Sequence, residues 1–157
     1  MNIKRKTLPE QHYLYVDREA DFNGPAIAQA MGAGFGELMG FIQKHSIERQ
    51  GMPATMYFDM PSGPRLSFRC AMFVSEHDAA HADESIRADV IPAGDVVCGT
   101  HVGPYASLSD SHRALWSYCD EHGLTKAMPV WEHYIDDPGV VAEEQLRTEV
   151  YRRIESA

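Results

Sequence analysis

Two stretches of the chain match each other at a constant offset, and that match constrains the fold more than any other feature. Leu38/Leu115, Phe41/Tyr118, His45/His122 and Ile47/Leu124 lie in helical patterns and are all 77 positions apart. In the strand that follows, Tyr57/Tyr134, Asp59/Asp136 and Pro61/Pro138 keep the same offset, while Pro53/Pro129 is out by one, a short indel between helix and strand. A helix and a strand matched together read as a repeated unit. The expected fold is therefore α+β: duplicated strand-helix-strand-strand units, about 7–75 and 85–154, related by a pseudo-twofold. The halves would share an antiparallel sheet with two main helices on one side and a central cleft at the axis. The 157 residues form about one domain, 1–157, large enough to bury a core without staples.

Along the chain, period-two alternation predicts a strand over 7–17, with His12, Leu14 and Val16 set against Tyr13 and Tyr15. Asn23 and Pro25 open a helix as N-cap and early helical residue. Its apolar face, Ile27, Met31, Phe35, Leu38 and Ile42, runs towards residue 49. Gly32, Gly34 and Gly36 each cost about 1 kcal/mol in a helix interior, which allows a break near 32–36. Residues 54–59 and 66–75 read as strands joined by a turn over 60–65, and the nearly apolar second strand belongs inside a sheet. A polar connector over 76–84 leads to a weak strand over 85–91 and a stronger one over 95–102. Residues 105–122 read as a helix whose face Leu108, His112, Leu115, Trp116 and Cys119 points inward, capped by Gly123. Strands over 128–136 and 145–154 complete the pattern, with fraying expected from Arg152 onward.

Function classes narrow quickly. A net charge of −9 argues against binding a phosphate backbone and concentrates cations near the surface. No apolar run is long enough to span a bilayer, and the N-terminal residues lack an apolar signal core. Cys70, Cys98 and Cys119 are odd in number, far apart and set in apolar segments, so buried reduced thiols and a cytoplasmic location are expected. His77 and His81 are four apart, but in a short acidic link without fixed geometry they make no metal site. No phosphate-cradling or nucleophile-elbow motif is present. No metal and no cofactor are expected.

Glu132 is the residue that needs a reason. It sits mid-strand in Trp131, Glu132, His133 and Tyr134, a β-favouring aromatic run where Glu is depleted. Period two places Val130, Glu132, Tyr134 and Asp136 on one face and Trp131, His133 and Ile135 on the other. Facing a cavity, its carboxylate needs a cation or a strong donor. Facing solvent on an antiparallel strand, it needs nothing. Tyr57, Tyr105 and Tyr134 serve equally as core aromatics or pocket walls, and Trp116 as core or ligand wall. His101 beside the 103–105 turn is structural or pairs with Glu132 and Tyr105 in catalysis. In the duplicated frame Thr55 stands opposite Glu132 and Tyr57 opposite Tyr134.

HVGPYASL at 101–108, the helix ending DEHGL, PVWEHYIDDP at 129–138 and the final TEVY together resemble the GyrI-like small-molecule-binding family. That family includes DNA gyrase inhibitory proteins and the effector-binding domains of AraC- and MerR-type regulators. The aromatic-Glu-x-Tyr strand followed by a Pro turn is the specific part, and the likeness is strongest from about 92 to 154. The resemblance implies an apolar-aromatic pocket whose glutamate neutralises cationic aromatic ligands, with Glu132 where that residue is expected. Its ligand contacts would come from Glu132, Tyr134, Tyr57, Tyr105, Trp116, His101 and Trp131. Residues 1–6 are too short for a helix-turn-helix, so a stand-alone form is expected, without direct nucleic-acid or membrane binding. The function expected from it is binding or sequestration of small hydrophobic or cationic aromatic compounds. The alternatives are a hydrolase of strained electrophilic (cyclopropanoid-type) rings and a gyrase-inhibitor-like module with gyrase or a regulator as partner.

Overall fold

A computed structural model describes residues 1–59 and 63–155. The expected 60–65 turn therefore falls partly, at 60–62, outside the described residues, as does Pro61. The chain divides into two compact units, Glu10–Pro92 and Met1–Pro9 with Ala93–Ala157.

The predicted strand over 7–17 is two strands, β1 (Lys4–Leu8) and β2 (Gln11–Asp21), which fall in different units. Pro9 sits at the break, where a residue without an N–H cannot continue a ladder. In the 10–92 unit, β2 leads through α1 (Gly24–Lys44) to β3 (Ala54–Tyr57) and β4 (Arg65–Val74), then through the single turn α2 (Glu76–Ala79) to β5 (Arg87–Ile91). The strand order is β3-β4-β2-β5, antiparallel throughout, so the apolar β4 is interior as expected. Asn23 caps α1, its Oδ1 accepting the Ala26 N–H at 2.9 Å, with Pro25 in the first turn.

The glycines do not break α1. Gly34 is buried against β4, and a Cβ there would lie 2.7 Å from Cys70 Sγ, so its missing side chain is what lets helix and sheet approach. Leu38, Phe41 and Ile42 pack from α1 onto Leu14, Val16, Phe68, Cys70 and Met72. Fully burying one such side chain is worth about 1.5–3 kcal/mol, enough for a few to offset the helix penalty of several glycines. The helix stops at Lys44, short of 49, because Ser46 takes a left-handed φ of 52°. The opposite sheet face carries Tyr13, Tyr15 and Phe73, all buried.

In the other unit, β6 (Gly94–Val102) is followed by a 3-10 turn at Tyr105–Ser107, α3 (Leu108–Glu121), β7 (Lys126–Tyr134), a second 3-10 turn at Glu143–Gln145, and β8 (Arg147–Ile154). The order β7-β8-β6-β1 corresponds strand for strand to that of the first unit. An α+β architecture of antiparallel strands with two main helices therefore stands. Leu108, Leu115 and Cys119 of α3 pack on Val97, Val150 and Ile154. Residues 152–154 are not frayed: they belong to β8, and both Arg152 and Ile154 are buried, while 156–157 lie outside the described residues. All three cysteines are buried and free. Among the described residues, no helix is long and apolar enough to cross a membrane.

Candidate functional site

Period two on β7 and its pairing with β8 decide what Glu132 faces. Glu132 stands opposite Val150, Val130 opposite Arg152 and Tyr134 opposite Thr148, and Val150 belongs to the core under α3. This face therefore points at the helix. The other face carries Trp131, stacked on Tyr151 with ring centroids 5.1 Å apart, and His133, whose ring meets Tyr151 edge-on.

Glu132 is only 4% exposed. A carboxylate that far from water must be met by donors, and Tyr134 and His112 are among those that reach it. Tyr134 Oη donates to Oε1 at 2.6 Å, and His112 Nε2 on α3 donates to Oε2 at 2.8 Å. Charge-assisted bonds of this length are among the stronger kind. His112 is more open, with 20% of its side chain exposed against 5% for Glu132. Tyr105, on the turn before α3, sets its ring edge-on to Tyr134 at 5.4 Å. Burial, and then the charges of Asp136, Asp137 and Glu132, push its phenol above the ordinary value, so it is a neutral donor at pH 7. The layer thus offers one desolvated carboxylate, two phenols and one imidazole. It can hold a cation, orient a polar group, or move a proton.

His101 lies elsewhere. Its Nε2 donates to the Pro104 carbonyl at 3.0 Å, and its Nδ1 lies at hydrogen-bond distance, 2.6 Å, from Ser111 Oγ. Ser107 Oγ lies 3.2 Å from the same Nε2. The ring pins the loop at Gly103, whose φ of +138° demands glycine, to the first turn of α3. That loop places Tyr105. Trp116 is 38% exposed, one helical turn beyond His112, with Lys126 Nζ 4.4 Å and Arg152 Cζ 4.9 Å from its ring. Tyr57 belongs to the 10–92 unit, half-buried against the core beneath α1. The structure thus brings Glu132, Tyr134 and Tyr105 together, and holds His101 and Trp131 in supporting positions around them.

Sequence reasoning placed His112 on the inward helical face without a role. The signal was there: a histidine on an apolar stripe needs a partner. Its position 20 residues from Glu132 gave no hint which one. No group of three or more His, Cys, Asp or Glu side chains among the described residues converges on a metal position.

A search of curated proteins gave no match. Among solved structures, the crystal structure of the EcmrR C-terminal domain superposes with a TM-score of 0.78 at 18% identity, covering 99% of this chain and 98% of that one. SAV2435 bound to tetraphenylphosphonium gives 0.65 at 12% identity, over 99% and 95% of the two chains. A hydrolase encoded by lin2189 from Listeria innocua gives 0.65 at 13%, over 98% and 91%. Likeness at these identities establishes the shared fold. The match that goes further covers residues 1–155 and thus both units: this chain belongs to the GyrI-like small molecule binding domain family.

Proposed function

We propose that this protein binds small cationic aromatic molecules, with Glu132 as the counter-charge. The observation that carries the reading is a carboxylate 4% exposed, held by a phenol and an imidazole and bordered by a second aromatic ring. Such a group is costly to keep and gains most when a cation arrives. Tyr105 and Tyr134 supply ring faces, each worth about 0.5–2 kcal/mol towards a cation. Trp116 extends the apolar wall by one helical turn, while Trp131 and His101 back the strand and the loop. The solved neighbour carrying tetraphenylphosphonium supports a cationic aromatic class.

The test is isothermal titration of tetraphenylphosphonium and neutral triphenylphosphine oxide against wild type and Glu132→Gln. The substitution keeps shape and removes charge. Phosphonium binding is expected to lose about 3–5 kcal/mol, and phosphine oxide binding little. Equal losses, or none, would make Glu132 a structural residue.

One observation favours a second reading. The Tyr134 hydroxyl lies 2.6 Å from Glu132 Oε1, a pair suited to acid–base work. Acting on a strained electrophilic ring, Glu132 would take a proton from water as the water oxygen bonds to the ring carbon. The electron pair of the broken ring bond would pass to a conjugated oxygen, protonated by a phenol. Ring opening of a cyclopropane-bearing electrophile, abolished by Glu132→Gln and slowed by Tyr134→Phe, would favour this reading over simple binding.

A further inference from the structure

Arg152 is 4% exposed, yet among the described residues its guanidinium meets no carboxylate, and its buried Nε has no hydrogen-bond partner. Burial draws its pKa below the ordinary value, with only the Cys119 thiol acting the other way. An unpaired buried cation is among the most expensive groups a protein can keep. Arg69, a partly buried arginine on β4, shows how this chain treats a structural one. Arg69 donates to Asp89 at 2.7 Å and to Tyr13 Oη at 2.7 Å, lies 3.5 Å from Asp17, and sits over the rings of Tyr15 and Phe58. Arg69 has its carboxylates; among the described residues Arg152 has none, in a chain with 23 acidic residues.

The surroundings of Arg152 fit a ligand's anion. It lies on the α3 side of β8, opposite Val130 and Val97, two pairs along the ladder from Glu132 opposite Val150 and on the same face. Trp116 follows His112 by four residues on α3, so the helix presents His112 at the Glu132 layer and Trp116 at the Arg152 layer. Lys126 reaches the same indole and is ion-paired with the exposed Asp120. The indole therefore lies against two cations, and among the described residues Arg152 has no carboxylate partner.

We propose that Arg152, with Lys126 and Trp116, is an anion subsite that takes a carboxylate or sulfonate carried on a small aromatic ligand. Diagonal positions on neighbouring strands are about 7–8 Å apart, so one rigid ring can carry an anion to Arg152 and a cation to Glu132. The preferred ligand class is then an aromatic zwitterion. That preference rests on the Glu132 reading; the anion subsite does not.

The experiment compares benzoate, phenyltrimethylammonium and 4-(trimethylammonio)benzoate by isothermal titration at fixed ionic strength. Wild type should bind the zwitterion at least tenfold more tightly than phenyltrimethylammonium. Arg152→Met should erase that advantage and the binding of benzoate, while leaving phenyltrimethylammonium unchanged. Arg152→Lys, which keeps charge but not the planar fork, should fall between. Without ligand, Arg152→Met should melt no lower than wild type, and benzoate should raise the melting temperature of wild type alone. An advantage that survives Arg152→Met, no zwitterion preference in wild type, or a large drop in the melting temperature of Arg152→Met would each overturn the proposal. Benzoate binding lost in Arg152→Met while Glu132→Gln changes nothing would uphold the subsite and reject the Glu132 reading.

Discussion

Thr55 on β3 and Glu132 on β7 are 77 positions apart, each on a strand whose neighbour leads back under the helix of its own unit. Thr55 is 0% exposed, its Oγ1 3.9 Å from Met31 Sδ on α1, and it pairs across the ladder with Cys70. Glu132 is 4% exposed, bonded to His112 on α3 and Tyr134, and pairs with Val150. The helix positions follow the same contrast at the same offset: Phe35 and Met39 pack on an apolar core where His112 meets Glu132 and Trp116 meets two cations. At matching places beneath the two helices, one unit thus carries a neutral threonine among apolar side chains and the other a buried carboxylate. A polar layer needs donors placed within reach, and in the unit containing α3 His112 and Tyr134 supply them to Glu132.

The sharpest way to break this contrast is to move the charge. Thr55→Glu places a carboxyl among Met31, Cys70 and the α1 core. It is expected to cost about 3–5 kcal/mol at neutral pH, measured by urea unfolding. Because burial raises the folded-state pKa of the introduced carboxyl, the cost should shrink as pH falls towards the unfolded value of about 4.3. Stability equal to wild type at pH 7 would show that the apolar unit accepts a charge as readily as the other.

A smaller effect is expected from giving α3 the residue that α1 has at the matching place. His112→Phe removes one donor from Glu132, at a cost of about 1.5–3 kcal/mol for a bond to a charged group. Affinity for tetraphenylphosphonium should rise, since the carboxylate then depends more on the incoming cation. Unchanged unfolding and unchanged titration together would mean that His112 does not support Glu132.

The smallest expected effects test the helix-sheet spacing. Gly34→Ala should destabilise by about 1–3 kcal/mol, because its methyl group meets Cys70 Sγ in a packed core. Gly36→Ala, with nothing within 4 Å of the added carbon, should stabilise by about 0.5–1 kcal/mol through helix propensity alone. Thermal melts with the two signs reversed would mean that α1 is not held where Gly34 places it.

The sequence by itself determined the local order. Alternation located the strands, Asn23 and Pro25 marked the start of α1, apolar context predicted the buried thiols, and an isolated Glu in an aromatic strand marked the candidate site. These are short-range signals, set by the backbone period and by which residues satisfy the ends of an element. Tertiary structure alone decided the rest. The glycines left α1 intact because Gly34 lets it press on Cys70, a contact that no helix propensity encodes. Lys4 on β1 pairs with Cys98 on β6 across most of the chain. Nothing local to Arg152 shows that β8 continues through it beneath Trp116. The pairing of His112 with Glu132 was decided by the rotation of α3 over its sheet, which brings His112 Nε2 to 2.8 Å from the carboxylate. Side chains far apart in sequence meet only where sheet order and helix packing bring them together, and those depend on the whole chain at once.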